Sequence, residues 1–146
     1  MVIPLKHVAI STQDPEASRD FFANVMGWTV AGRVDSRNAQ GYYVTDGTIN
    51  IALLRFKNRP AAGLEFPEGY NGLHHLGFQC EDVEATAEYM EDQGFPPRHD
   101  INIAQGLGKN PDKDNAEYKM TGPASVMIDI SERGWVGTSS YKPKAG

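Results

Sequence analysis

Cysteine is almost missing from this chain. Cys80 is the only one in 146 residues, so no internal disulfide can form, and a reducing cytoplasm is the simplest expected address. A basic excess is missing too: 14 Lys and Arg stand against 19 Asp and Glu, for a formal charge of −5. That balance gives no electrostatic footprint for nucleic acid or for an anionic membrane surface. No apolar run approaches the ~20 residues of a membrane helix, and Pro4, Lys6 and His7 break the start, unlike a signal peptide. With 40% hydrophobic and 23% charged residues, one globular domain over 1–146 is expected.

What the chain does have is an internal repeat. His7-Val8-Ala9-Ile10 reappears as His75-Leu76-Gly77-Phe78, 68 positions later, and the same offset pairs Asp14 with Asp82, Glu16 with Glu84, Ala17 with Ala85 and Phe21 with Tyr89. Each copy opens with an apolar strand, residues 3–11 and 74–80. Asp14 and Asp82 then read as helix N-caps, with Pro15 suited to a first helical position. Helices are expected over 15–26 and 83–93, stopped by Gly27 and Gly94.

Three strands follow in the first copy, over 28–35, 41–46 and 48–56, with Asp46-Gly47 as a hairpin turn. The second copy predicts strands over 97–103, 116–121 and 125–131. Residues 57–72 read as an ordered linker, 105–115 as a mobile loop, and 139–146 as a frayed tail. The fold expected is α+β: two βαβββ modules, about 3–56 and 73–136, paired into a barrel-like curved sheet.

Polar residues in otherwise apolar strands carry the chemistry. Side chains alternate along a strand, so His7 shares a face with Ala9 and Ser11, and His75 with Gly77 and Gln79. Asp129 shares one with Met127 and Ser131. If the aliphatic faces meet the helices, His7, His75 and Asp129 point into the concave side. Two imidazoles and one carboxylate form a facial triad that leaves open positions on a metal; ligand type alone does not separate it from a catalytic zinc site. His74 faces away from His75 by alternation and reads as structural. Cys80, Trp28 and Trp135 read as packing residues, and His99, Tyr43, Tyr42 and Tyr118 either as packing residues or as second-sphere acid/base groups of undetermined direction.

These features resemble the vicinal oxygen chelate superfamily, also called the glyoxalase/bleomycin-resistance/dioxygenase superfamily. The likeness runs from Leu5-Lys6-His7-Val8-Ala9-Ile10 through Gly72-Leu73-His74-His75-Leu76-Gly77-Phe78 to residues 122–130. The His-His strand and the Glu81-Asp82-Val83-Glu84-Ala85 stretch look like the second module of methylmalonyl-CoA epimerases. The resemblance implies a divalent metal on the first and last strands of each module, which match His7, His75 and Asp129. The fourth position matches Ala52, where glyoxalases and epimerases carry Glu or Gln. A three-ligand set with that gap resembles extradiol dioxygenases.

The resemblance therefore implies a ring-cleaving dioxygenase acting on a small catechol-like molecule, with iron(II) or manganese(II). His99, Tyr43 or Tyr118 would then move the proton. The alternatives are a glyoxalase, lyase or epimerase acting on a thioester or hemithioacetal (zinc, nickel or cobalt), and a metal-free drug- or metabolite-binding protein. A homodimer is implied by analogy, with modules paired within a chain or swapped between chains.

Overall fold

The computed structural model describes residues 2–108 and 117–143. Seven strands form one open sheet in the order β2-β3-β4-β1-β5-β7-β6. They are β1 (Leu5–Ser11), β2 (Thr29–Asp35), β3 (Ala39–Thr45), β4 (Asn50–Phe56), β5 (Gly72–Gln79), β6 (Glu117–Thr121) and β7 (Met127–Ser131). The expected α+β class holds. The sheet curves but does not close, because β2 and β6 remain as edges.

The repeat is visible in the pairing. β1 lies parallel to β4, β5 lies parallel to β7, and β1 and β5 join antiparallel at the centre of the sheet. Both halves of this sheet thus come from one chain. Helix α1 (Pro15–Asp20) starts where Asp14 accepts from Ala17 N at 3.0 Å, and it runs on as a wider turn over Phe21–Val25. Helix α3 (Val83–Asp92) starts in the same way, with Asp82 accepting from Ala85 N at 3.0 Å. A carboxylate at this place satisfies a backbone N–H that has no partner inside the helix. In the linker, Asn58 caps the short helix α2 (Arg59–Ala62).

The aliphatic faces of β5 and β7 do meet a helix. Val83 and Ala87 of α3 pack with Met120, Ile128 and Ile130, and Leu76 and Phe78 close the cluster. By alternation, the opposite face is left to His75, Gly77 and Asp129.

Three expectations are corrected. Residues 97–103 do not form a strand. After an isolated bridge between Pro97 and Met120, the chain turns into helix α4 (His99–Gln105). On a strand, Ile101 and Ile103 would share a face; here Ile101 is 0% exposed and Ile103 is 80% exposed, as a helix dictates. The missing strand has a substitute. The Asn102 side-chain amide donates to Lys119 O at 3.0 Å and accepts from Lys119 N at 2.8 Å, completing both ladder bonds of that residue. The loop expected from 105 falls partly on α4, and residues 109–115 lie outside the described residues. Finally, the tail is not frayed up to Lys142. Gln79 Nε2 donates to Ser140 O at 2.8 Å, Ser140 Oγ donates back to Gln79 Oε1 at 2.6 Å, and Lys142 N donates to Arg133 O.

Candidate metal centre

His7, Gly77 and Asp129 stand in one row across the adjacent strands β1, β5 and β7, because β1–β5 pairing sets His7 against Gly77 and β5–β7 pairing sets Gly77 against Asp129. His75 lies two residues along β5, opposite Ala9. One ligand atom from each of His7, His75 and Asp129 falls within 4.8 Å of the others, and all three side chains are buried.

Glycine at position 77 makes this convergence possible. A Cβ there would lie 2.7 Å from His7 Cβ and Cδ2 and 2.8 Å from Trp135 Cη2. The Trp135 ring lies flat on the His7 imidazole, with centroids 4.5 Å apart and planes 3° from parallel. Gly77→Ala is therefore expected to displace both rings. We expect a loss of about 1–3 kcal/mol of stability by overpacking and at least a tenfold loss of metal affinity, read by chemical denaturation and metal titration. Unchanged metal affinity would show that ring placement does not govern the site.

The hydrogen bonds fix the imidazole tautomers. Asn50 Nδ2 donates to Val136 O at 2.8 Å, which turns Asn50 Oδ1 toward His7 Nδ1 at 2.7 Å. An amide oxygen only accepts, so the His7 proton sits on Nδ1 and the Nε2 lone pair is bare. His75 is set through His74. His74 Nε2 donates to Ala62 O at 2.7 Å, leaving its Nδ1 as the acceptor for His75 Nδ1–H at 2.8 Å. His75 Nε2 is then bare as well.

The two bare nitrogens face each other at 3.3 Å. Two lone pairs cannot hydrogen-bond to one another, and burial keeps a proton from joining them. It lowers His7 to about 4 and holds His75 well below its ordinary value, where the Lys119 ammonium adds to the effect. Asp129 Oδ2 is 3.8 Å from His75 Nε2, while buried Asp129 Oδ1 has no hydrogen-bond partner among the described residues. Two converging lone pairs and an orphaned carboxylate oxygen fit a divalent cation. Asn50 and His74 make contacts to His7 and His75 of the kind that orient imidazoles in metal sites.

A cavity of about 280 Å³ opens onto this cluster; Tyr43, Ala52, Glu117, Lys119 and Trp135 are among its other lining residues. Tyr43, whose direction the sequence leaves open, lines it. Burial, then the Glu117 charge, push its phenol up to about 12, so it keeps its proton at neutral pH. Ala52 contributes only a methyl group. His99 and Tyr118 are not brought here. Tyr118 alternates with Lys119 and packs toward α3, and His99 is exposed at the start of α4; both line a separate cavity of about 400 Å³. Tyr42 instead carries the Arg19 guanidinium 4.6 Å above its ring.

Sequence reasoning passed over Glu117 and Lys119. Lys119 Nζ lies 2.7 Å from Glu117 Oε1 and 3.0 Å from Asp129 Oδ2, with its side chain only 3% exposed. Burial works against the ammonium, but the Asp129 and Glu117 carboxylates outweigh it and raise Lys119 above its ordinary value. Asp129 is pushed well above the usual carboxylate range by burial and then by Glu117, against the pull of Lys119. Strand alternation around Tyr118 was the available signal, since it puts 117 and 119 on the Asp129 face.

The model of the Glyoxalase/Bleomycin resistance protein/Dioxygenase superfamily matches residues 5–130. The chain belongs to that superfamily. The ethylmalonyl-CoA/methylmalonyl-CoA epimerase of Cereibacter sphaeroides is 28% identical over 98 residues, 64% of this chain and 73% of that protein. YaeR of Escherichia coli K12 is 30% identical over 88 residues, 58% of this chain and 67% of its own. Among solved structures, Streptomyces coelicolor methylmalonyl-CoA epimerase in complex with 2-nitronate-propionyl-CoA superposes with a TM-score of 0.70 at 17% identity, covering 90% of this chain and 97% of that one. The methylmalonyl-CoA epimerase of Mycobacterium tuberculosis gives 0.67 at 15% identity, covering 96% and 89%. At such identities the structural likeness speaks to the fold. Enzymes of the superfamily are thus among the relatives of this chain, and those named by activity here are epimerases rather than dioxygenases. No helix among the described residues is long and apolar enough to cross a membrane.

Proposed function

We propose that the chain is a divalent-metal-dependent enzyme of isomerase type, with His7, His75 and Asp129 as the protein ligands. It would move a proton at the carbon beside the carbonyl of a small acyl thioester. The observation that carries the metal is the pair of bare Nε2 atoms 3.3 Å apart beside the orphaned Asp129 Oδ1. The reaction class is supported by the Cereibacter epimerase. A bound divalent ion would supply Lewis-acid stabilisation of negative charge on two neighbouring substrate oxygens.

The cavity walls supply the rest. Glu117 is the lining carboxylate outside the proposed ligand set, and its role is to take the proton from carbon while the electron pair moves onto the carbonyl oxygen. Return of a proton from water to the other face gives the epimer. Tyr43 holds its own proton too tightly to act as that base and serves as a hydrogen-bond donor.

Ala52 favours a second reading, the oxygen-dependent cleavage of a catechol, which a three-ligand site also suits. Deuterium exchange separates the two. In D₂O, protein loaded in turn with manganese, cobalt, zinc or anaerobic iron(II) is expected to wash deuterium into methylmalonyl-CoA beside the thioester. Chelation should stop the exchange, and Glu117→Gln should slow it at least 100-fold. Oxygen uptake with catechols and no exchange with any metal would overturn this reading in favour of the dioxygenase.

A further inference from the structure

We infer that Lys119 forms an anion subsite beside the metal position, and that the substrate carries a carboxylate adjoining the oxygens that meet the metal. This rests on the proposed metal centre and adds to it the charge of the molecule that fits.

Lys119 is an unusual residue to find in this wall. It is 2% exposed, lies directly across the β6–β7 ladder from Asp129, and lines the same cavity as the three proposed ligands. Burying an ammonium is costly, and salt bridges alone repay that cost poorly, so its retention points to a use. An ammonium has three N–H donors. Glu117 and Asp129 take two of them, and the third has no partner among the described residues.

The backbone of Lys119 is held rigidly. Asn102 grips both its N–H and its carbonyl, and Arg98 N also donates to that carbonyl at 2.9 Å. The side chain therefore projects from a fixed point, as a preorganised subsite requires.

Charge points the same way. With a divalent ion bound, neutral histidines, the Asp129 and Glu117 carboxylates and the Lys119 ammonium would leave one net positive charge at the site. A neutral chelate would leave that charge in a buried cavity, whereas an anionic one cancels it. On the far wall, Ala52 offers no carboxylate to repel an anion. Lys119 would then hold the substrate carboxylate while the neighbouring oxygens meet the ion.

Oxalate and oxamate test this, because they share vicinal oxygens and differ by one charged oxygen replaced with an amide. Manganese-loaded full-length protein is titrated with each, and binding is read from the relaxation of solvent protons by the manganese. The wild type is expected to prefer oxalate, and Lys119→Met should shrink the oxalate-to-oxamate preference at least tenfold. Manganese itself should bind Lys119→Met as tightly as the wild type or more tightly, since Asp129 loses a competitor.

An unchanged preference on manganese-loaded Lys119→Met overturns the subsite and leaves the metal centre standing. Loss of manganese binding in that variant also overturns it, by making Lys119 an organiser of Asp129. Wild-type protein that binds neither manganese, cobalt nor zinc overturns the metal centre and the subsite together. If Lys119→Met does not fold, Lys119→Met/Glu117→Gln removes the ion pair as a unit and must show the same tenfold shrinkage, while Lys119→Arg must keep the preference. Any other result in those variants refutes the inference.

Discussion

His75→Ala is expected to bind divalent metal about 100- to 1,000-fold more weakly than the wild type, the order of one ligand's share of a structural zinc site. The more telling variant is His74→Phe, which replaces none of the three proposed ligands. The His74 ring sits between Phe56 and Phe66, with centroids at 4.5 and 4.4 Å, so a phenyl ring can take its place in the stack. It cannot accept the proton of His75 Nδ1. That imidazole would lose the bond that sets its tautomer, and metal affinity should fall about 10- to 100-fold, the usual effect of removing an outer partner. Equilibrium titration against a chelator of known affinity ranks the proteins. Wild-type affinity in His74→Phe would show that the route from the Ala62 carbonyl to His75 does not set the site.

Acid should destabilise the protein well before its surface carboxylates titrate. Burial lowers His7 and His74 to about 4 and His75 well below 6.5, whereas in the unfolded chain each takes up a proton near 6.5. Between those values the unfolded state binds more protons, so stability falls as the pH falls. For His7 or His74 the full loss is about 3 kcal/mol, of which about 2 kcal/mol is gone by pH 5. Asp129 runs the other way, because its raised value lets the folded state take up a proton first. The histidines outnumber it. We expect Tm to drop by about 10 °C or more from pH 7 to pH 5, measured on metal-free protein. A Tm that does not change over that interval would contradict the neutral, buried imidazoles. Saturating metal at pH 7 should raise Tm, because only the folded state gathers the ligands.

The parts of this molecule set by local rules were legible in advance. Asp14 and Asp82 cap their helices as their spacing from Ala17 and Ala85 requires. Alternation placed His7, His75 and Asp129 on one face. Parts set by distant neighbours were not. Nothing near His7 in the sequence announces that Asn50, brought alongside by the β1–β4 register, fixes its tautomer. His74 does turn away from the cavity as alternation says, yet its Nδ1 reaches the adjacent ring and makes it part of the site. Helix α4 was misread because apolar residues at 101 and 103 mimic a two-residue period, and only the burial of Ile101 with the exposure of Ile103 reveals the helix.

The Asn102 amide has a consequence for how copies of this chain can meet. A sheet rim with unpaired amides is a template on which another chain can add a strand. Along β6, Lys119 is already satisfied by Asn102, and Thr121 N donates to Pro96 O at 2.8 Å. One side chain and a proline-bearing segment thus blunt that rim without adding a strand to it. The opposite rim, β2, has no strand beyond it among the described residues. The sheet is in effect polarised: growth by strand addition is directed to the β2 side, away from the lysine that borders the proposed metal position.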